Sequence, residues 1–215
     1  MANRRVGVIG SGDVAKALGR GFAKNGWEVK LGTRSPENLR DWATETKGTV
    51  SVGSFADAAS FGDVVVLSVL GAAVPEVLDT AGPGNFDGRL VLDTTNPLAF
   101  SQEGPPELLF GGTDSLGERV QRTLSGASVV KCFNTVSNVQ MVDPEFEDET
   151  PPMMICGDDE RAKERTEALL VEFGWPGALD VGTIESSRYL EALVPLWVRI
   201  GMHLDTWEHA FAVVQ

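Results

Sequence analysis

Cysteine, histidine and tyrosine are scarce in this chain. Its 215 residues include two cysteines, two histidines and one tyrosine. Cys132 and Cys156 make neither a disulfide framework nor a zinc-ligand spacing, and reduced, buried thiols in a cytosolic protein are the ordinary reading. His203 and His209 both fall in the C-terminal tail and follow no strand, which favours surface or interface positions over a proton shuttle. No Ser-His-Asp order and no metal-ligand cluster is present, and Tyr189 is followed four residues on by Leu193 rather than by a lysine. The sequence therefore assigns no catalytic side chain and no metal ligand.

Long apolar runs are also missing. No stretch approaches the ~18–20 apolar residues of a membrane span. Arg4-Arg5 could open a twin-arginine signal, but the apolar run behind it ends at Ile9 in a glycine turn. A signal needs ~7–15 apolar residues there. The expectation is a cytoplasmic protein with no membrane partner. Positive charge is in deficit, with 18 Lys and Arg against 31 Asp and Glu and a net charge of -13. Extended nucleic-acid phosphate would be repelled, which excludes that partner, although one local basic pocket for a single phosphate stays compatible.

What is present is ordinary globular composition, 42% hydrophobic and 23% charged, in a chain long enough to bury a full core. Short apolar, β-rich runs cover 5–9, 27–32, 49–52, 63–69, 89–93, 128–133, 153–156 and 178–181. Most are continuously apolar, as strands buried on both faces of a parallel sheet read. Helical patterns lie between them at 13–25, 36–47, 55–61, 72–81, 116–124 and 160–173. Ser35-Pro36-Glu37 offers a cap, a first-turn proline and an acid for the helix dipole, and Ser115 with Glu118 fits a capping box. Strand and helix in alternation predict an α/β, Rossmann-type, doubly wound and mostly parallel sheet. Residues 98–114 and 144–152 read as loops. The tail is apolar at helical spacing, with Pro195 expected to kink or interrupt it. The domain reading is a dinucleotide-binding unit over 1–182 and a helical C-terminal segment over 183–215. Apolar residues in excess on that tail predict a homodimer.

Gly10-Ser11-Gly12-Asp13-Val14-Ala15 follows the first strand and opens the first helix. In G-x-G-x-x-A, the first glycine permits the tight turn, the second lets a pyrophosphate approach the backbone, and the alanine allows close helix–sheet packing. The helix N-terminus then offers free N–H groups and a positive dipole end to phosphate. Asp13 stands beside that phosphate position and must turn its carboxylate away, with helix capping as one way to do so. An NAD-specific site usually has an acid at the end of the second strand, to hold the ribose hydroxyls. Here that place reads Gly32-Thr33-Arg34-Ser35, and Glu28 comes too early. Thr33, Arg34 and Ser35 supply hydroxyl donors and a guanidinium fork, which match a 2′-phosphate and hence NADP(H). In open α/β sheets ligands bind beyond the carboxyl ends of strands. The turns at Asn96-Pro97-Leu98 and Asn134 are therefore expected at the nicotinamide end.

Several segments together resemble a known family. They are the glycine turn, Gly32-Thr33-Arg34, residues 93–98, Ser115-Leu116-Gly117-Glu118-Arg119-Val120-Gln121, residues 129–135, Cys156-Gly157-Asp158-Asp159 and Ser187-Arg188-Tyr189-Leu190-Glu191. The chain resembles the NADPH-dependent reductases of the deazaflavin coenzyme F-420, over nearly its whole length. The resemblance implies cofactor contacts from Ser11, Gly12, Asp13 and Val14, with Thr33 and Arg34 at the 2′-phosphate. It also implies Gly71, Leu98 and Asn138 nearer the nicotinamide. It places Arg188 beside the deazaflavin, where Leu190, Leu193 and Pro195 could form an apolar wall; the alternative for Arg188 is an ion pair with Glu185 or Glu191 on its own helix. The chain departs from the better-known members at Leu70-Gly71, where they carry a Pro-Trp pair, and at Asn138, where they carry a small residue.

The missing acid–base residue suits hydride transfer between two planar rings. There the cofactors carry the reactivity and the protein supplies alignment. The expectation is an NADPH-dependent oxidoreductase whose partner is a small-molecule redox acceptor, coenzyme F-420 first. The alternatives are a flavin, quinone or other acceptor for the same chemistry, and a non-catalytic NADP-binding sensor.

Overall fold

A computed structural model describes residues 4–100 and 104–214. The chain begins with β1 (Arg5–Ile9), α1 (Asp13–Lys24) and β2 (Glu28–Gly32). A 3-10 turn and α2 (Arg40–Glu45) lead to β3 (Val50–Gly53), then α3 (Phe55–Ala59) and β4 (Val64–Leu67). A second 3-10 turn enters α4 (Val74–Ala81), which precedes β5 (Leu90–Asp93). After a short excursion with β6 (Leu98–Ala99) and β7 (Glu107–Leu108) come α5 (Leu116–Thr123), β8 (Ser128–Lys131), β9 (Met153–Gly157), α6 (Glu160–Glu172), β10 (Ala178–Asp180) and α7 (Ser187–Leu204).

Eight strands form one sheet in the order β10-β9-β8-β5-β4-β1-β2-β3. From β3 to β8 every pairing is parallel; β9 runs antiparallel to β8, and β10 is parallel to β9. The chain leaves β1 toward β3 on one side and returns at β4 on the other. That reversal opens a crevice beyond the carboxyl ends of β1 and β4, where ligands of such sheets bind. Both faces are covered. Val6, Val8, Val64 and Val66 pack into one core with Leu18 and Phe22 of α1. Ile9, Val65 and Leu67 point the other way, into a second core with Leu78 of α4 and Val120 of α5. Alternation between two buried faces is why the strands read as unbroken apolar runs.

Local differences from the sequence reading have physical causes. The segment 36–47 splits into a 3-10 turn and α2, and Ser35 does not cap with its side chain. Its amide instead donates to Thr33 Oγ1 at 3.3 Å. Residues 98–114 are not wholly irregular, because Leu98 and Ala99 pair antiparallel with Leu108 and Glu107. Ser115 does cap α5, accepting from the Glu118 amide at 3.2 Å, but its hydroxyl also donates to the Glu118 carboxylate at 2.7 Å. The box thus closes side chain to side chain. Helix α7 runs through Pro195 without interruption. Leu190 and Val194 before the proline and Trp197 and Gly201 after it are all buried, so packing holds both flanking turns in place. No helix among the described residues is long and apolar enough to cross a membrane.

Candidate functional site

The crevice is a cleft of about 820 Å³, within the size range of small-molecule and cofactor sites. Gly10 through Val14 line its middle, Thr33 and Arg34 one end, and Gly71, Asn96, Leu98 and Asn138 the other. The structure thus brings together eleven of the residues proposed for the cofactor, and it adds Phe55, Ser68, Leu70, Glu76, Thr80, Thr94, Thr95 and Phe100. The added residues follow β4 or β5, or face the cleft from α3, α4 or β6. Their place depends on three-dimensional packing and carries no local sequence signal.

The glycine turn is built as its residue types require. Gly10 has φ +140°, and a Cβ there would meet the Ser68 carbonyl oxygen at 2.0 Å. Its conformation and the closeness of the β4 turn both demand glycine. Gly12 is different, because a Cβ there would meet no protein atom within 4 Å. Space is kept open at the N-terminus of α1, whose cap carries no side-chain hydrogen bond. Asp13 therefore does not cap its helix. It is exposed at the cleft rim.

At the β2 end, Thr33 is buried and Arg34 exposed. Thr33 Oγ1 accepts the Ser35 amide, which leaves its own proton to donate. Arg34 has no hydrogen-bond or ion-pair partner among the described residues, so its five donors are free toward the cleft. Ser35 does not line the cleft. Glu28 opens β2 at the edge away from the cleft, so it cannot serve as a ribose acid. Glu76 of α4 is a carboxylate in the cleft wall that sequence reasoning missed.

At the other end, Asn134 holds rather than lines. Its Nδ2 donates to Asn96 Oδ1 at 3.1 Å and to the Leu190 carbonyl at 2.9 Å, and Asn96 Nδ2 donates back to the Asn134 carbonyl at 2.9 Å. Phe133, just before it, has φ +59°, a costly left-handed conformation for an aromatic residue. Pro97 lies behind the cleft surface. Asn138 also borders a second cavity of about 650 Å³, lined by Val136, Ser137, Val139, Trp197, Asp205, Thr206, Trp207 and Glu208. Trp197 and Trp207 stand with ring centroids 5.7 Å apart, and His209 stacks on Trp197 at 4.7 Å.

The acceptor residues taken from resemblance are not in either cavity. Leu193 and Pro195 line neither. Arg188 is paired with two carboxylates. It forms two bonds to the Glu118 carboxylate, at 2.8 and 2.6 Å, and one to Glu185 at 2.7 Å. In this geometry Arg188 joins α5 to α7 and lines neither cavity. Glu118, seventy residues away in sequence, gave no signal of that pairing.

Among the described residues neither cysteine emerges as a nucleophile. Cys132 is wholly buried, and burial pushes its thiol far up; burial also raises Cys156, to about 11. Neither is a reactive thiolate. His203 is exposed, and His209 is spent on Trp197, stacking on its ring and contacting its carbonyl oxygen through Nε2 at 3.0 Å. Among the described residues no group of acids, histidines and cysteines could hold a metal.

Comparison with known proteins follows the same line. Residues 5–97 match the family described as "NADP oxidoreductase coenzyme F420-dependent". A crystal structure from Arthrobacter sp. FB24, described as an F420-dependent NADP-reductase, superposes with a TM-score of 0.92 at 34% identity, covering 99% of each chain. The F420-dependent NADP reductase of Methanocaldococcus jannaschii is 28% identical over 90% of this chain and 90% of its own length. The metalloreductase STEAP3 of Rattus norvegicus is 25% identical over 90% of this chain, but only 38% of that protein is covered.

Proposed function

The chain belongs to the coenzyme F-420-dependent NADP oxidoreductase family, and from that premise we propose that it transfers hydride between NADP(H) and coenzyme F-420. The observation that carries the reading is the continuity of one cleft. It runs from an arginine unpaired among the described residues, past an open glycine turn, to an end lined by Asn96, Leu98 and Asn138 that adjoins a second cavity with Trp197 and Trp207 in its wall.

In this reading the 2′-phosphate lies against Thr33 and Arg34. The pyrophosphate fills the space kept open at Gly12, where the α1 dipole favours negative charge. The nicotinamide lies toward Thr94, Asn96, Leu98 and Asn138. The exposed side chains of Leu70 and Phe100 supply apolar edges there. The planar acceptor enters by the second cavity, bounded by Asn138 and Trp207. Bound there, the two cofactors supply the redox chemistry itself. The chain's own residues would bind and orient the two rings, and no side chain is assigned to proton transfer. The C-terminal segment from residue 183, described as far as Val214, completes the acceptor side. Tyr189, Leu196 and Leu204, all exposed along α7, are the surface this reading assigns to a homodimer, and it takes the protein to work in the cytoplasm.

An anaerobic spectral assay tests this, following NADPH oxidation against deazaflavin, flavins and quinones. Reduction of deazaflavin in preference to the others is the expected result. Transfer only to a flavin or quinone replaces the acceptor, and no transfer to any of them overturns the enzyme.

A further inference from the structure

Three charged side chains lie inside this protein where the surrounding core is apolar. Asp93 ends β5, Lys131 ends β8 and Glu191 belongs to α7; the first two are 0% exposed and the third 2%. Lys131 Nζ is 2.7 Å from Asp93 Oδ2, 2.8 Å from Glu191 Oε1 and 2.8 Å from the Thr95 carbonyl oxygen. Burial alone would lower the Lys131 ammonium, but the carboxylates of Asp93 and Glu191 outweigh it and hold the group above its ordinary value. The extra negative charge is met by α5. Its first amides, of Leu116 and Gly117, each donate to the Glu191 carboxylate at 2.9 Å, at the positive end of the helix dipole.

Removing charges from water costs several kcal/mol per ion, and apolar packing of the same volume often stabilises as well or better. Stability alone therefore does not explain the arrangement; what its bonds hold in place does. Asp93 Oδ1 accepts both the Thr95 amide at 2.9 Å and the Thr95 hydroxyl at 2.6 Å. With the bond from Lys131 to its carbonyl, every polar group of Thr95 is fixed by this network. Thr95 and its neighbours Thr94 and Asn96 line the cleft. On the far side, Glu191 anchors α7, which carries Trp197 of the second cavity.

We propose that Asp93, Lys131 and Glu191 are positioning residues that set the ring end of the cofactor cleft and lock it in register with the helix bearing the acceptor cavity. The inference rests on the nucleotide reading given above. The network does not touch the cofactor, and its effect is exerted through Thr95. Loss of the ammonium leaves the adenosine end untouched, because Thr33 and Arg34 lie at the opposite end of the cleft. It lets the ring end drift, and a misplacement on the order of 1 Å can cost about 100-fold in rate.

The experiment compares wild type, Lys131→Met, and the triple variant Asp93→Asn, Lys131→Met, Glu191→Gln, which leaves no orphaned buried charge. Calorimetry with 2′,5′-ADP reads the adenosine end. Fluorescence anisotropy of bound NADPH reads the order of the nicotinamide without any acceptor. Turnover is measured with whichever acceptor the wild type reduces. The expected result is a Kd for 2′,5′-ADP unchanged within about twofold, as for distant independent sites. Lower nicotinamide anisotropy accompanies it, with kcat reduced on the order of 10- to 100-fold and KM for NADPH moved much less. Wild-type anisotropy and turnover in a variant that binds 2′,5′-ADP overturn the positioning role alone. So does failure of both variants to bind 2′,5′-ADP, which makes the network scaffold only. Failure of the wild type to bind 2′,5′-ADP overturns the nucleotide reading and this inference with it.

Discussion

A Cβ on Gly71 would lie 2.0 Å from the carbonyl oxygen of Asn96. The turns after β4 and β5 touch at this point, and no side chain fits between them. An aromatic residue at 71 is incompatible with this placement of the Asn96 turn. The apolar edge of the cleft comes instead from Leu70 and Phe100 on either side.

Two glycines of the cleft should therefore respond oppositely. Gly71→Ala forces the Asn96 backbone to move and should cost about 1–3 kcal/mol of stability, as overpacking does. Gly12→Val puts its Cβ in space open to 4 Å, so its melting temperature should stay near wild type while NADPH binding is lost. Thermal melts paired with calorimetry give both answers. Retained NADPH affinity in folded Gly12→Val would move the phosphates elsewhere.

The choice of nicotinamide is tested at Arg34. A charge-assisted hydrogen bond contributes ~1.5–3 kcal/mol, so Arg34→Ala should weaken NADPH binding roughly 10- to 150-fold. NADH, which lacks the 2′-phosphate, should bind the variant nearly as it binds wild type. Titration of both nucleotides into both proteins decides it, and equal weakening removes Arg34 from the 2′-phosphate.

The sheet and the glycine turn were legible because their signals are local. Val64 to Leu67 is an unbroken apolar run, and Gly10 to Ala15 stands directly between a strand and a helix. Arg34 followed from the turn by counting. The excursion after β5 was less legible, since Leu98 and Leu108 pair across residues that carry no strand pattern. The buried Lys131 was illegible in kind. In sequence it is one lysine in Ser-Val-Val-Lys, and only the parallel register Asp93–Lys131 and the fold of α7 bring its two carboxylates to it. The pairing of Arg188 with Glu185, three residues away, was legible, but its pairing with Glu118, close in space and far in sequence, was not.

If the cofactors carry the chemistry, no thiol or imidazole of this chain is needed for turnover. Cys132→Ala, His203→Ala and His209→Ala should each keep kcat within about tenfold of wild type, whereas loss of a true acid–base group costs ~100-fold or more. Steady-state assays on variants with native circular dichroism check this. A loss of two orders of magnitude at any one of them identifies a catalytic group in the C-terminal tail or beneath the cleft.

Arg188 separates a structural joint from a ligand contact. The hydrogen bonds from Arg188 hold the Glu118 carboxylate below its ordinary range, against the opposing effect of burial. A depressed folded-state pKa stabilises the protein above the unfolded value, ~4.3 for glutamate. That contribution is lost as the pH falls from there through the folded value. The melting temperature of the wild type should accordingly drop on acidification below about pH 4. Arg188→Ala should melt lower at neutral pH and show a shallower acid limb, because the linkage has been removed. Its KM for the acceptor should stay within about tenfold of wild type, the ratio that corresponds to ~1.4 kcal/mol. A larger rise, with KM for NADPH unchanged and the acid limb intact, would mean that Arg188 leaves Glu118 to bind the acceptor.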